Sequence, residues 1–199
     1  PPIRLLAGSH ADTAQTGSGC FMNVIAYLNG DAQITDQSEC VCPAVRPIAV
    51  WLNDFMMDSY FSPSEQTANS ARLLPFIERA LGSVTSDARE LSRRAWLAID
   101  FANSMASLAK TGATTHAAVY AADAAVYAAD AADAAHAACA YTTIVYAAAA
   151  RAAVYATRTA DYEQIIQAGI DFLDRALPPP LEAQPAQVMA RAAALREFA

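Results

Sequence analysis

Cys20, Cys40 and Cys42 are the residues of this 199-residue chain with the widest chemical reach. Together with His10 they make three sulfur donors and one nitrogen donor, a set that matches the ligand preference of tetrahedral zinc. The spacing is less diagnostic than paired Cys-x-x-Cys clusters, because Cys40-Val41-Cys42 is a Cys-x-Cys and no second cluster follows. The competing reading makes Cys20 a small buried hydrophobe and places Cys40 and Cys42 at a tight corner entering the helix after Pro43. The corner is the leading reading, and zinc is the alternative.

Cys20 has a second potential chemistry. Gly17-Ser18-Gly19-Cys20 runs straight into a helix, and a helix N-terminus lowers the pKa of a thiol nucleophile placed there. A thiol enzyme also needs a base, and the three histidines, His10, His116 and His136, have no local context that marks one. Farther along, Asp130, Asp133 and His136 follow at three-residue steps and would share a helical edge, either as ligands or as a solvated rim. Tyr120, Asp123, Tyr127 and Asp130 form a stripe that reads as a binding face, since tyrosine offers contact area and a hydroxyl together.

The elements that position these residues are helical. Phe21, Val24, Ile25 and Leu28 share a face, and Gly30 is placed to cap it. A second helix is expected from the Pro43 region through Asp58, with Pro47 shifting its start or bending its first turn. Ser62-Pro63-Ser64-Glu65 has the form of a capping box and opens a helix that is bent or broken at Pro75 and stops near Gly82. Asp87 with Glu90 gives another box-like start, followed by Leu91, Trp96, Leu97, Ile99, Phe101 and Met105 along a mostly apolar helix to Gly112. A further helix from Asp161 carries Ile165, Ile166, Ile170, Phe172 and Leu173 and ends at the Pro178–Pro180 run. No strand pattern stands out.

Half of the residues between Ala113 and Ala160 are alanine, including the tandem unit AAVYAAD at 117–123 and 124–130. Alanine is the strongest helix former. On the wheel the polar and aromatic residues fill one half and alanine the other, so a second helix can approach closely. A straight helix from Thr115 to Thr157 would span roughly 65 Å. A compact globule of this chain length is only about 40 Å across. The helix therefore kinks, or the bundle is elongated, or the alanine face docks on a second copy; self-association is the favoured solution.

The stretches GCFMNVIAYLNGD, DQSECVCPAVRPIAVWLND, LLPFIERALG and GIDFLDRAL resemble, in order, a family of uncharacterised proteins of actinobacteria and their bacteriophages. Cys20, Met22, Tyr27, Gly30, the Cys40–Pro43 turn and Trp51-Leu52-Asn53-Asp54 carry the resemblance. It implies no known activity. Its pattern has Glu where this chain has Asn23 and His-Pro where it has Gln37-Ser38, so two groups that could ligate metal or move protons are replaced.

The formal charge of -7, with only 13 Lys and Arg, argues against a nucleic-acid surface. No window of about 18 uncharged apolar residues reads as membrane-spanning. With no apolar run of secretory length at the start, the free-thiol count points to a reducing cytoplasm, that of the host if the chain is phage-encoded. The expected fold is all-α: an elongated bundle with one long alanine-rich helix. One helical domain covers 1–177, with an arm at 1–19, and a Pro-rich linker with a C-terminal amphipathic helix covers 178–199. The expected function is non-catalytic protein-protein interaction or assembly, as a homo-oligomer or with a protein partner and without a cofactor. The alternative is a small zinc or cysteine-thiol enzyme centred on Cys20, Cys40 and Cys42.

Overall fold

The computed structural model of the chain describes residues 4–10, 13, 17–110 and 162–179. The alanine-rich stretch and the tail from residue 180, on which a long helix and an amphipathic helix are expected, lie outside the described residues. The described part is mostly helical: α1 (Phe21–Asn29), α2 (Arg46–Met56), α3 (Pro63–Ala80), α4 (Ala88–Lys110) and α5 (Tyr162–Ala176). Two short strands, β1 (Arg4–Leu5) and β2 (Ser18–Gly19), pair in parallel with Arg4 opposite Ser18 and Leu5 opposite Gly19. Two-residue strands are too short to show a period of two, which is why this pairing escaped a pattern reading. None of the described helices is long and apolar enough to cross a membrane.

The chain divides into two compact units, one made of Pro1–Cys42, Asn53–Val84 and Leu177–Ala199, the other of Pro43–Leu52 and Thr85–Ala176. In the first, α1 is buried almost all round, through Phe21, Met22, Val24, Ile25, Ala26 and Leu28. It packs against α3, which contributes Leu73, Phe76, Ile77 and Ala80. Gly30 ends α1 in the left-handed region at φ 76°, with its N–H donated to Tyr27 and that of Asp31 to Ala26, so two orphan carbonyls are satisfied.

The Ser62–Glu65 box forms as the spacing predicts: Glu65 N–H donates to the Ser62 hydroxyl, and Ser62 N–H to the Glu65 carboxylate at 2.7 Å. These bonds hold the Glu65 carboxyl below its ordinary range, chiefly through the Ser62 hydroxyl. Pro75 does not break α3, which continues to Ala80. One missing N–H is outweighed by the buried Leu73, Phe76 and Ile77 around it. At the far end Arg79 donates to Pro178 O at 2.7 Å and to Leu177 O at 3.3 Å, and stacks over the Phe76 ring. Asn69 donates to Met56 O and so satisfies a carbonyl at the buried C-terminal end of α2.

In the second unit α4 and α5 pack together. Phe101 meets Trp51 edge-on at 5.7 Å and Phe172 at 5.6 Å, a three-ring cluster that joins the three described helical segments of this unit. Asp87 caps α4 by accepting from Arg89 N–H, but Glu90 does not complete the predicted box. Its carboxylate binds Arg93 and Arg94 at 2.7 Å instead, and the Arg93 hydrogen bonds above all pull its pKa down to about 2. Arg93 also donates to the carbonyl of Arg175 near the end of α5. Trp96, expected on the apolar face, is 52% exposed; the buried face runs through Arg94, Leu97, Ala98, Phe101, Ala102 and Met105.

Gly169 in α5 is required by close approach, because a Cβ there would lie 2.5 Å and 2.8 Å from the two Leu52 methyls. Gly169→Ala is therefore expected to lower stability by about 1–3 kcal/mol despite alanine's higher helix propensity. Urea unfolding midpoints check this. Adding Leu52→Ala, which removes the obstructing methyls, should make the second substitution neutral or favourable.

Candidate functional site

The polar residues buried most deeply in the first unit gather where β2 turns into α1. Cys20 is the N-cap of α1, extended at φ -69° and ψ 165°, and its sulfur accepts from Asn23 N–H at 3.4 Å. Asn53, at the point where α2 enters this unit, accepts from Phe21 N–H at 3.2 Å. A helix start buried in apolar surroundings leaves its first amides without water, so these two acceptors supply what solvent would otherwise provide. Gly19 sits just before the cap because Thr13 Oγ1 and Asn23 Cβ occupy the space a Cβ would need.

The same side chains reach the N-terminal segment. Asn53 donates to Leu6 O at 2.8 Å and to Asp54 Oδ1 at 3.0 Å, and Asp54 Oδ1 accepts from Gly8 N–H at 2.8 Å. Asn23 accepts from His10 N–H at 2.6 Å and donates to Ser9 Oγ at 3.4 Å. Both carboxamides are fully buried. His10 takes part through its backbone; its ring donates from Nε2 to Ala7 O at 2.8 Å, which fixes the proton on that nitrogen.

Cys20 is 1% exposed, and its thiol is pushed up from 9.0 to about 11. Burial is the main cause and outweighs the lowering by the Asn23 and Met22 amides; Asp54 and Asp36 add to the rise. At neutral pH the group is a protonated thiol acting as a cap.

Cys40 and Cys42 build a different feature. Ser38 Oγ donates to Asp31 Oδ2 at 2.6 Å, so its single proton is committed and the Cys40 thiol, 3.2 Å away, is the donor to Ser38. Asn29 holds the other Asp31 oxygen. Cys42 N–H donates to Ser83 Oγ at 3.1 Å, and Cys40 O accepts from Val84 N–H at 3.0 Å, so the Cys-Val-Cys stretch is zipped to the exit of α3. Cys42 is fully buried, and all three described thiols are free. The Cys-Val-Cys stretch is thus a turn held against the exit of α3, and α2 begins only at Arg46.

Among the described residues no three or more His, Cys, Asp or Glu side chains stand together as a metal-holding group, so His10, Cys20, Cys40 and Cys42 are not assembled into one. The stripe of Tyr120, Asp123, Tyr127 and Asp130, and the edge of Asp130, Asp133 and His136, lie outside the described residues. Asn53 and Asp54 were not read as site residues; the available signal was a polar pair interrupting the otherwise apolar run from Ile48 to Met57. Comparison with protein-family models, curated proteins and solved structures finds no match for this chain.

The raised thiol has a consequence for stability. The folded pKa lies above the unfolded one, so the folded state holds the proton more tightly between pH 9 and 11 and stability falls as pH rises through that window. Wild type is expected to lose on the order of 2–3 kcal/mol relative to Cys20→Ser between those limits. Urea unfolding of both proteins across the window measures the difference; parallel curves would contradict the assignment.

Proposed function

We propose that this chain is a non-catalytic helical protein that acts by binding another macromolecule, its first partner being a second copy of itself. The state of Cys20 carries this reading. A thiol nucleophile needs access and a lowered pKa, whereas this one is sealed, raised and engaged as a helix cap. The strongest sequence candidate for covalent chemistry is thus better explained by helix architecture.

Two exposed aromatics support binding. Trp96 in α4 is 52% exposed, and Tyr60 in the turn before α3 is 49% exposed. Side chains of these types supply much of the contact energy at protein interfaces. The choice of a second copy as partner rests on the sequence: the alanine flank of residues 117–140 suits close helix pairing.

Sedimentation velocity over a wide concentration range tests the reading. Wild type is expected to show concentration-dependent association, and Ala125→Glu with Ala132→Glu, both on the alanine flank of the helical wheel, to shift it to monomer. A triple variant with Cys20→Ser, Cys40→Ser and Cys42→Ala should associate like wild type. A monomer at every concentration would overturn self-association, and association lost in the cysteine variant alone would return attention to thiol or metal chemistry.

A further inference from the structure

We infer that residues 4–10 form a latch that opens without unfolding of the rest of the first unit and, in opening, uncovers the Cys20 thiol. The segment buries little apolar surface: Leu5 is 2% exposed, Leu6 and His10 are half-buried, and Arg4, Ala7, Gly8 and Ser9 are exposed. By contrast α1, beneath it in sequence order, buries six apolar side chains. Local opening follows the elements with least buried apolar contact, so these two parts of one unit have very different opening costs.

Apart from the buried Leu5 side chain, what holds the segment is polar. Its backbone is clasped at four points by side chains from the helices: Leu5 N–H by Ser70, Leu6 O by Asn53, Gly8 N–H by Asp54 and His10 N–H by Asn23. The short pairing with β2 adds Leu6 N–H to Gly19 O at 3.0 Å. Every one of these bonds can be exchanged for a bond to water as the segment lifts, so separation leaves no stranded donor or acceptor. An apolar seam would have no such substitute.

The clasps also explain why the thiol is the group uncovered. Gly19, immediately before Cys20, pairs directly with the Leu5–Leu6 segment. Asn23, whose amide the Cys20 sulfur accepts, is the residue whose carboxamide holds Ser9 and His10. Asn53 binds the first amide of α1 through its oxygen and the latch through its nitrogen. The two functions of Asn53 reside on separate atoms.

The test uses the full chain in a urea series kept below the unfolding transition, with hydrogen exchange and iodoacetamide trapping read by peptide mass spectrometry. Exchange in peptide 4–10 and alkylation of Cys20 are expected to stay level with urea, while exchange in α1 rises steeply. Ser70→Ala removes the acceptor for Leu5 N–H and leaves both acceptors at the start of α1 in place. It should raise both latch rates by roughly tenfold or more and leave α1 exchange unchanged. Cys20 alkylation that climbs with urea in parallel with α1 exchange overturns the latch, as does a Ser70→Ala protein with unchanged latch rates. Should that variant fail to fold, the wild-type urea series decides alone. Neither arm depends on the oligomeric state.

Discussion

A helix that starts inside a protein core must find partners for amides that water cannot reach. In the first unit this requirement sets the arrangement of everything around α1. Phe21 N–H and Asn23 N–H are donors of the first turn without an intrahelical partner, and the acceptors are a carboxamide from α2 and the sulfur of the cap. Sulfur is a weak acceptor, so Cys20 is a poorer cap than serine would be by hydrogen bonding alone. Its advantage is apolar bulk: it fills buried space at the junction without adding an unsatisfied hydroxyl. The cap and the core therefore impose opposite demands on one side chain, and cysteine meets both in part.

That compromise also decides the chemistry. A helix N-terminus favours a thiolate, and burial opposes it. Here burial wins, as the upward shift to about 11 records. The same Gly-Ser-Gly-Cys motif that suggests a nucleophile thus produces its opposite once the junction is closed over by the N-terminal segment and by Asn53. Position on a helix is legible in a sequence, whereas the dielectric around the position is a tertiary property.

The same division runs through the rest of the fold. Features written within one turn were readable: the Ser62–Glu65 box, the Gly30 cap, and the buried Ile165, Ile166, Phe172 and Leu173 form as spacing requires, while Ile170, expected with them, is only half-buried. Features that depend on a distant neighbour were not. Glu90 leaves its capping role because two arginines lie on the next turn of α4 with good bidentate geometry. Pro75 is carried through α3 because the flanking side chains are buried. Trp96 faces water although an apolar count assigns it inward. Asn23 and Asn53 were hidden for the plainest reason: a polar residue in a helix reads as surface, and only the fold reveals which polar residues are enclosed and bonded.

A glutamate at position 23 would change this junction. In this chain the Asn23 side chain is fully buried, accepts from His10 and donates to Ser9. A carboxylate could keep the first bond but not the second, and ionised it would carry a desolvation penalty of several kcal/mol beside the Cys20 cap. It would also be a proton-moving group next to a thiol, which a carboxamide is not. Asparagine exchanges that reactivity for a neutral two-way clasp. The junction of β2 and α1 in this molecule is accordingly built to hold the N-terminal segment in place, with the thiol serving as packing and cap.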